Sequence, residues 1–218
     1  VCGAELRRID GEAAWFCPNK YECTPQITGK IEHFVGRHMM NIDGIGEEVA
    51  QLLYTSGLVK NIADLYDLTE EKLMTLDRFK EKSARRIING IEDSKKVPFE
   101  RVIFSFFFPF VGETTAKVLA GAAHNIDTLM AMNELQLSSI GEIGDKIAHS
   151  IVDFFSLDFN RTIIERLRLA GLQMEISEEE LQNKTDKLAG KSIVISGTFA
   201  HHSRDEYKKM ISQNGGKN

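Results

Sequence analysis

Between Asn41 and Phe155 apolar and polar positions return in a fixed phase. In the stretch from Asn41 to Ala50 an apolar residue (Ile42) leads into a short turn, and a second (Ile45) fills it. Acids (Glu47, Glu48) then open a helix whose first inward position is an alanine, Ala50. The same order returns as Leu76, Phe79, Glu81 and Ala84, as Phe108, Val111, Glu113 and Ala116, and as Ile140, Ile143, Asp145 and Ala148. The last turn position falls at 46, 80, 112 and 144, giving intervals of 34, 32 and 32 residues. An interval of that size fits one pair of helices per repeat. After each alanine an apolar stripe continues at helical spacing, as in Ala84, Ile87, Ile88, Ile91 and in Ala148, Ile151, Val152, Phe155. Acids in a first helical turn complement the helix dipole. Glycines at 44, 46, 112 and 144 predict tight turns with main-chain N–H groups turned outward.

Around these repeats the pattern predicts further elements. Lys30 to His38 reads as a helix leading to the first turn, and its partner ends near Gly57. Ile62 to Leu68 continues the chain, and Thr69 caps a helix running through Leu76. The run Val102 to Phe108 reads as a buried helix. Phe107, Phe108, Pro109 and Phe110 are expected as core between repeats, with exposure against a base pair or sugar as the alternative. Thr162 to Ala170 is a closing helix stopped by Gly171. Ser177 to Lys187 is polar and reads as a linker. Lys191 to Ile195 predicts a strand, Ser196, Gly197 and Thr198 a turn, and Ser203 to Glu206 a capping box opening a helix with Tyr207, Met210 and Ile211 on one face.

Composition narrows the function classes. No apolar run nears the roughly 20 residues needed to span a bilayer, and the chain opens in a cysteine module rather than a secretory leader. A net charge of −5 argues against a coat of cations but not against an anion site made of main-chain amides. Charge is also uneven: from Arg78 to Lys117 nine bases face five acids. A phosphate backbone is expected there, although each base taken singly also suits a solvated helix face.

Cys2, Cys17 and Cys23 are the only cysteines. Clustered thiols in a cytosolic chain point to metal rather than disulfides. With a further cysteine placed just before Val1, the spacing becomes that of a four-cysteine zinc knuckle, and Gly3 would free the turn so that amides point at sulfur. His33 and His38 are read as surface or packing residues. Trp15, Phe16 and Tyr21 are the module's main apolar contents, too few for a core, so zinc would supply much of its folding energy.

Glycine turns at helix N-termini, repeated in one phase, suit the phosphates of a nucleic-acid backbone. The candidate contacts are Gly44, Ile45, Gly46, Lys80, Lys82, Val111, Gly112, Thr114, Gly141, Ile143, Gly144 and Lys146. At the second turn Arg78 and Lys80 replace both glycines, which favours a structural role for that copy. The repeats resemble the helix-hairpin-helix motif. The order of a cysteine module (1–26), four repeats (27–175), a linker (176–188) and a strand-turn-helix (189–218) resembles the carboxyl portion of bacterial NAD-dependent DNA ligases.

The resemblance implies a mainly α chain: a small four-cysteine zinc finger, a four-repeat helix-hairpin-helix domain, and the start of an α/β BRCT domain. In that domain Ser196, Gly197 and Thr198 match a turn that meets a phosphate in some relatives. It implies a part that clamps nicked double-stranded DNA in replication and repair, in the bacterial cytoplasm beside the nucleoid. Structural zinc is implied for the chain itself. NAD and magnesium would be bound by adenylation and OB-fold domains, partners in the same polypeptide. No catalytic residue is expected: Asn41-Ile42-Asp43-Gly44 and Arg8-Ile9-Asp10-Gly11 lack the lysine that would attack NAD in a Lys-x-Asp-Gly motif. Two alternatives share some features, namely a helix-hairpin-helix repair subunit and a helical-repeat protein scaffold.

Overall fold

A computed structural model describes residues 1–8, 13–177, 185 and 187–216. The chain divides into two compact units, Val1–Glu175 and Ile176–Asn218. The first opens with a two-stranded antiparallel ribbon, β1 (Arg7–Arg8) and β2 (Trp15–Phe16), in which Arg7 pairs with Phe16 and Arg8 with Trp15. Helices follow: α1 (Thr24–Val35), α2 (Glu47–Thr55), a 3-10 helix (Ile62–Asp67), α3 (Glu70–Met74), α4 (Glu81–Ser94), α5 (Phe99–Ser105), α6 (Glu113–Ala123), α7 (Ile126–Ala131), α8 (Glu134–Ser138), α9 (Asp145–Ser156) and α10 (Asp158–Leu169). The hairpins are α1–α2, α3–α4, α5–α6 and α8–α9.

The repeated apolar positions set this architecture. All four alanines (Ala50, Ala84, Ala116, Ala148) are fully buried, and the turn-filling Ile45, Phe79, Val111 and Ile143 are each less than a tenth exposed. A bulkier residue at the alanine would push the paired helices apart; a polar one at the plug would leave the turn without an anchor. Hairpins one and two meet closely: a Cβ built on Gly90 of α4 would lie 3.3 Å from the Asp43 main-chain nitrogen. Beside that contact Arg86 reaches Asp43 at 3.1 Å. Helix α10 packs back onto the 3-10 helix, where Arg166 bonds both Asp64 and Asp67.

Several boundaries differ from the periodicity. The first helix begins at Thr24, not Lys30, because Pro25 sits in its first turn, where a missing N–H costs nothing. It ends at Val35 rather than His38, as Gly36 turns extended. Thr69 does cap α3, its hydroxyl accepting from the Lys72 N–H at 3.3 Å, but the helix stops at Met74. The closing helix starts four residues early, at Asp158, and Gly171 follows it with φ +95°.

The phenylalanines around the third turn do not all join the core. Phe106 and Phe108 are buried, whereas Phe107 and Phe110 are 54% and 63% exposed. Both exposed rings sit on left-handed backbone, φ 59° and 67°.

In the second unit α11 (Arg204–Gln213) forms with the expected capping box: Ser203 N–H donates to Glu206 at 2.6 Å and Glu206 N–H to the Ser203 hydroxyl at 3.3 Å. Ile211 is buried and Gly215 ends the helix at φ +78°. Lys191 to Ile195 does not form the expected strand among the described residues, and Val194 is 89% exposed. Ser192 alone makes a β-bridge, and the residues on either side of it are not in a ladder. Most of the expected linker lies outside the described residues.

Only one of the repeat glycines meets a conformational demand. Gly44 has φ +95°, and a Cβ there would lie 3.1 Å from Ile87. The equivalent positions, Phe110 and Glu142, are also left-handed, at 67° and 73°. A left-handed L-residue costs about 1–2 kcal/mol. Burying a Val or Ile plug contributes about 1.5–3 kcal/mol, which offsets it. Gly46, Gly112 and Gly144 have φ of −108°, −92° and −85° with open space where a Cβ would stand. Gly44→Ala is therefore expected to lower unfolding free energy by about 1–2 kcal/mol, and Gly144→Ala by well under that; urea denaturation of both variants checks the difference.

Candidate nucleic-acid interface and cysteine cluster

Three turns deliver a helix to solvent in the same way. Gly46, Gly112 and Gly144 are the N-cap residues of α2, α6 and α9; all three are exposed and none has a side-chain cap. A serine, threonine or aspartate there would ordinarily satisfy an orphan donor of the first turn. Because these glycines have neither a special φ nor a crowded Cβ, nothing inside the fold demands them. Their effect is to leave donors open: the N–H groups of Glu47, Glu48, Thr114, Asp145 and Lys146 find no acceptor among the described residues. Ile45, Val111 and Ile143 point inward, so each can offer an incoming group only its main chain. Gly141 is exposed with open space at its Cβ.

The second turn differs. Lys80 is the N-cap of α4, and its N–H donates to the Ser83 hydroxyl at 3.0 Å, so one donor is already satisfied.

At the amino end the sulfurs of Cys2, Cys17 and Cys23 lie within 4.8 Å of one another, with 3.4 Å between Cys2 and Cys17. Gly3 is left-handed at φ +76°. The following N–H, of Ala4, and then the Cys17 thiol bring the Cys2 thiol down from 9.0 to about 7. Converging soft donors supported by main-chain N–H groups suit a thiolate-binding metal such as zinc. His33 is elsewhere: its Nε2 is 2.9 Å from the Phe104 carbonyl oxygen and its ring packs against Phe104 and Phe107. Trp15 and Phe16 are 63% and 36% exposed, so the module has no core of its own.

Comparison with known proteins agrees with this geometry. Residues 1–24 match the NAD-dependent DNA ligase C4 zinc finger domain, residues 36–93 a SAM-like helix-hairpin-helix tandem, and residues 101–164 a helix-hairpin-helix motif. The chain is 54% identical over 217 residues to a DNA ligase of Phocaeicola vulgatus, covering all of this chain and 33% of that protein. A DNA ligase of Bacteroides fragilis is likewise 54% identical over 217 residues, with 33% of it covered. One of Cytophaga hutchinsonii is 52% identical over 218 residues, with 32% covered. Residues 1–24 thus match the zinc finger of NAD-dependent DNA ligases, and helix-hairpin-helix models cover the hairpins that follow it. It spans about a third of the length of the curated relatives it matches.

Against that family background the basic stretch sorts into spent and unspent charge. Arg78 pairs with Glu48 at 2.7 Å, Arg85 with Glu70 and Glu81, Arg86 with Asp43, Lys95 with Glu92, Lys96 with Asp93 and Lys117 with Glu113. Arg101 donates to the Arg37 and His38 carbonyl oxygens. Lys80 and Lys82 form no ion pair among the described residues, and neither does Lys146 at the fourth turn. Lys82 and Lys146 occupy equivalent positions, the second of α4 and of α9. A cation there opposes the helix dipole, so the fold gains nothing from it. An anion held at the turn would reverse that sign. In the second unit, Ser196, Gly197 and Thr198 form an exposed turn with Gly197 at φ +98°. No described helix is long and apolar enough to cross a membrane.

Sequence reasoning missed two features. One is the left-handed position shared by Gly44, Phe110 and Glu142; only a glycine at all three copies would have signalled it. The other is His149, whose Nδ1 lies 2.8 Å from Glu134 and Nε2 3.5 Å from Asp153. The Glu134 hydrogen bond and then the charges of both acids raise its pKa above the ordinary 6.5. A raised folded-state pKa means that the protonated ring contributes stability at acidic pH, lost as pH rises through that pKa. An NMR titration is expected to place the His149 midpoint above 6.5, and Glu134→Gln to return it towards the ordinary histidine value.

Proposed function

We propose that the helix-hairpin-helix unit grips the sugar-phosphate backbone of double-stranded, nicked DNA across the minor groove. The parts of a longer ligase polypeptide that bind NAD and magnesium would carry out the joining chemistry. The observation that carries this reading is the set of uncapped, exposed helix N-termini at Gly46, Gly112 and Gly144, where glycine serves no need of the fold. Main-chain donors of this kind bind phosphate without reading bases. Lys82 and Lys146 add cations where a bound phosphate would sit. Lys80 joins them at the second turn, as a charge rather than as an open amide.

Cys2, Cys17 and Cys23 would hold a structural zinc that fixes the amino-terminal module, which has too little apolar burial to fold on its own. The second unit, with its capped α11 and the Ser196-Gly197-Thr198 turn, is read as the start of a BRCT domain. A protein-interaction scaffold would share the helical period but would have no use for bare N-caps at three turns.

Binding to a nicked duplex is expected to weaken steeply with salt, log K falling against log salt with a slope near −0.9 for each phosphate neutralised. Gly46→Asp and Gly144→Asp separate fold from function. Aspartate in place of glycine at an N-cap stabilises a helix by roughly a few tenths of a kcal/mol, and its charge suits the helix dipole but repels phosphate. Each variant should therefore melt no lower than the parent and bind duplex roughly tenfold more weakly, the cost of one or two lost charge-assisted hydrogen bonds. Fluorescence anisotropy with a labelled duplex reads the affinity, and unchanged binding in both variants would sink the reading. Incubated with NAD, the chain is expected to gain no covalent AMP by mass spectrometry, since no lysine stands two residues before either Asp-Gly pair.

A further inference from the structure

A groove of about 1100 Å³ runs along the first unit between the cysteine module, α1, the third turn, α9 and α10. Its lining includes the rings of Tyr21, Phe107, Phe110, Phe154 and Phe159. Four of these rings remain substantially exposed, at 41% for Tyr21, 54% for Phe107, 63% for Phe110 and 49% for Phe159. Tyr21 and Phe159 meet edge to face at 4.9 Å, so the cysteine module and α10 build one continuous surface.

The rim is basic. Lys20, Lys30, Lys60 and Lys146 line the groove, with Asp153 as its one carboxylate among the lining residues. None of the four lysines forms an ion pair among the described residues. Lys30 is held over the Tyr21 ring at 5.1 Å and donates to the Lys20 carbonyl oxygen at 2.9 Å. Burial, and then the neighbouring Lys20 charge, lower its pKa, a cost that an incoming anion would relieve. A chain of net charge −5 has thus concentrated unpaired cations around exposed rings.

Solvent alone gives no reason for this pairing of features. Exposed phenyl rings cost free energy in water, and two of these stand on strained left-handed backbone. Flat apolar faces within reach of a cationic track are what unpaired nucleotides require: bases stack on the rings while phosphates follow the lysines. Duplex DNA keeps its bases stacked inside and could use the lysines but not the rings.

We propose that this groove binds single-stranded nucleic acid, taking up unpaired nucleotides that lead away from a duplex held at the third and fourth turns. Phe110 and Lys146 belong to those turns and to the groove, so a strand can pass from one to the other. The proposal goes beyond duplex binding, and its adjacency argument rests on that reading.

The test uses the 218-residue chain, a fluorescein-labelled oligothymidylate and a labelled duplex. The parent should bind both. Phe107→Ala and Phe159→Ala alter exposed side chains outside the turns, so the fold should persist by circular dichroism. Each should weaken oligothymidylate binding by at least about fivefold while changing duplex affinity less than about twofold. Polyglutamate, an anion without rings, should displace the oligothymidylate poorly. Binding of duplex only, equal losses for both ligands, or displacement by polyglutamate at matched charge would each overturn the groove proposal and leave the duplex reading in place. Failure of the parent to bind either nucleic acid would overturn both.

Discussion

The burial of one apolar side chain in each turn is the constraint on which the rest of the molecule depends. With Ile45, Phe79, Val111 or Ile143 locked inward, the intervening main chain has to pass over the plug, and the next helix begins facing outward. An inward plug and an outward N-terminus are two sides of one geometry. The buried alanine on the following turn of helix keeps the partner helix near enough for the plug to be covered. Packing thus places polar main chain at the surface without any polar residue specifying it.

Charge follows a similar economy. Most bases of the Arg78 to Lys117 stretch are consumed by partners that sequence distance conceals, such as Glu48 for Arg78 and Asp43 for Arg86. Exposed pairs of this kind contribute little to stability, but they remove those bases from any count of free cations. What remains is positional: Lys80, Lys82 and Lys146 at the turns, and Lys20, Lys30 and Lys60 along the groove. A modestly acidic protein can therefore present a positive surface wherever its cations have been left without acids.

The helical class, the four turns and the cysteine cluster were legible because each rests on local pattern. Plug and alanine recur in phase, and their burial follows directly. Features set by tertiary partners were hidden. Phe107 and Phe110 read as core because aromatic runs usually are; their exposure depends on a left-handed backbone that no single copy announces. The start of α1 at Thr24 was obscured by Pro25, a breaker within a helix yet compatible with its first turn. Lys191 to Ile195 has the alternation of a strand, but among the described residues only Ser192 makes a β-bridge. The glycines at 46, 112 and 144 read as turn formers, yet none has a positive φ; what they leave is a bare helix N-cap with open space beside it.

The contact at Gly90 carries a consequence for mechanics. Because α4 has no side chain at that point, the first turn rests on helix backbone, 3.3 Å from where a Cβ would be. Rotamer changes cannot alter a spacing fixed by backbone against backbone. The first two hairpins consequently behave as a ruler rather than a hinge, and whatever spans them must match their separation or bend to it.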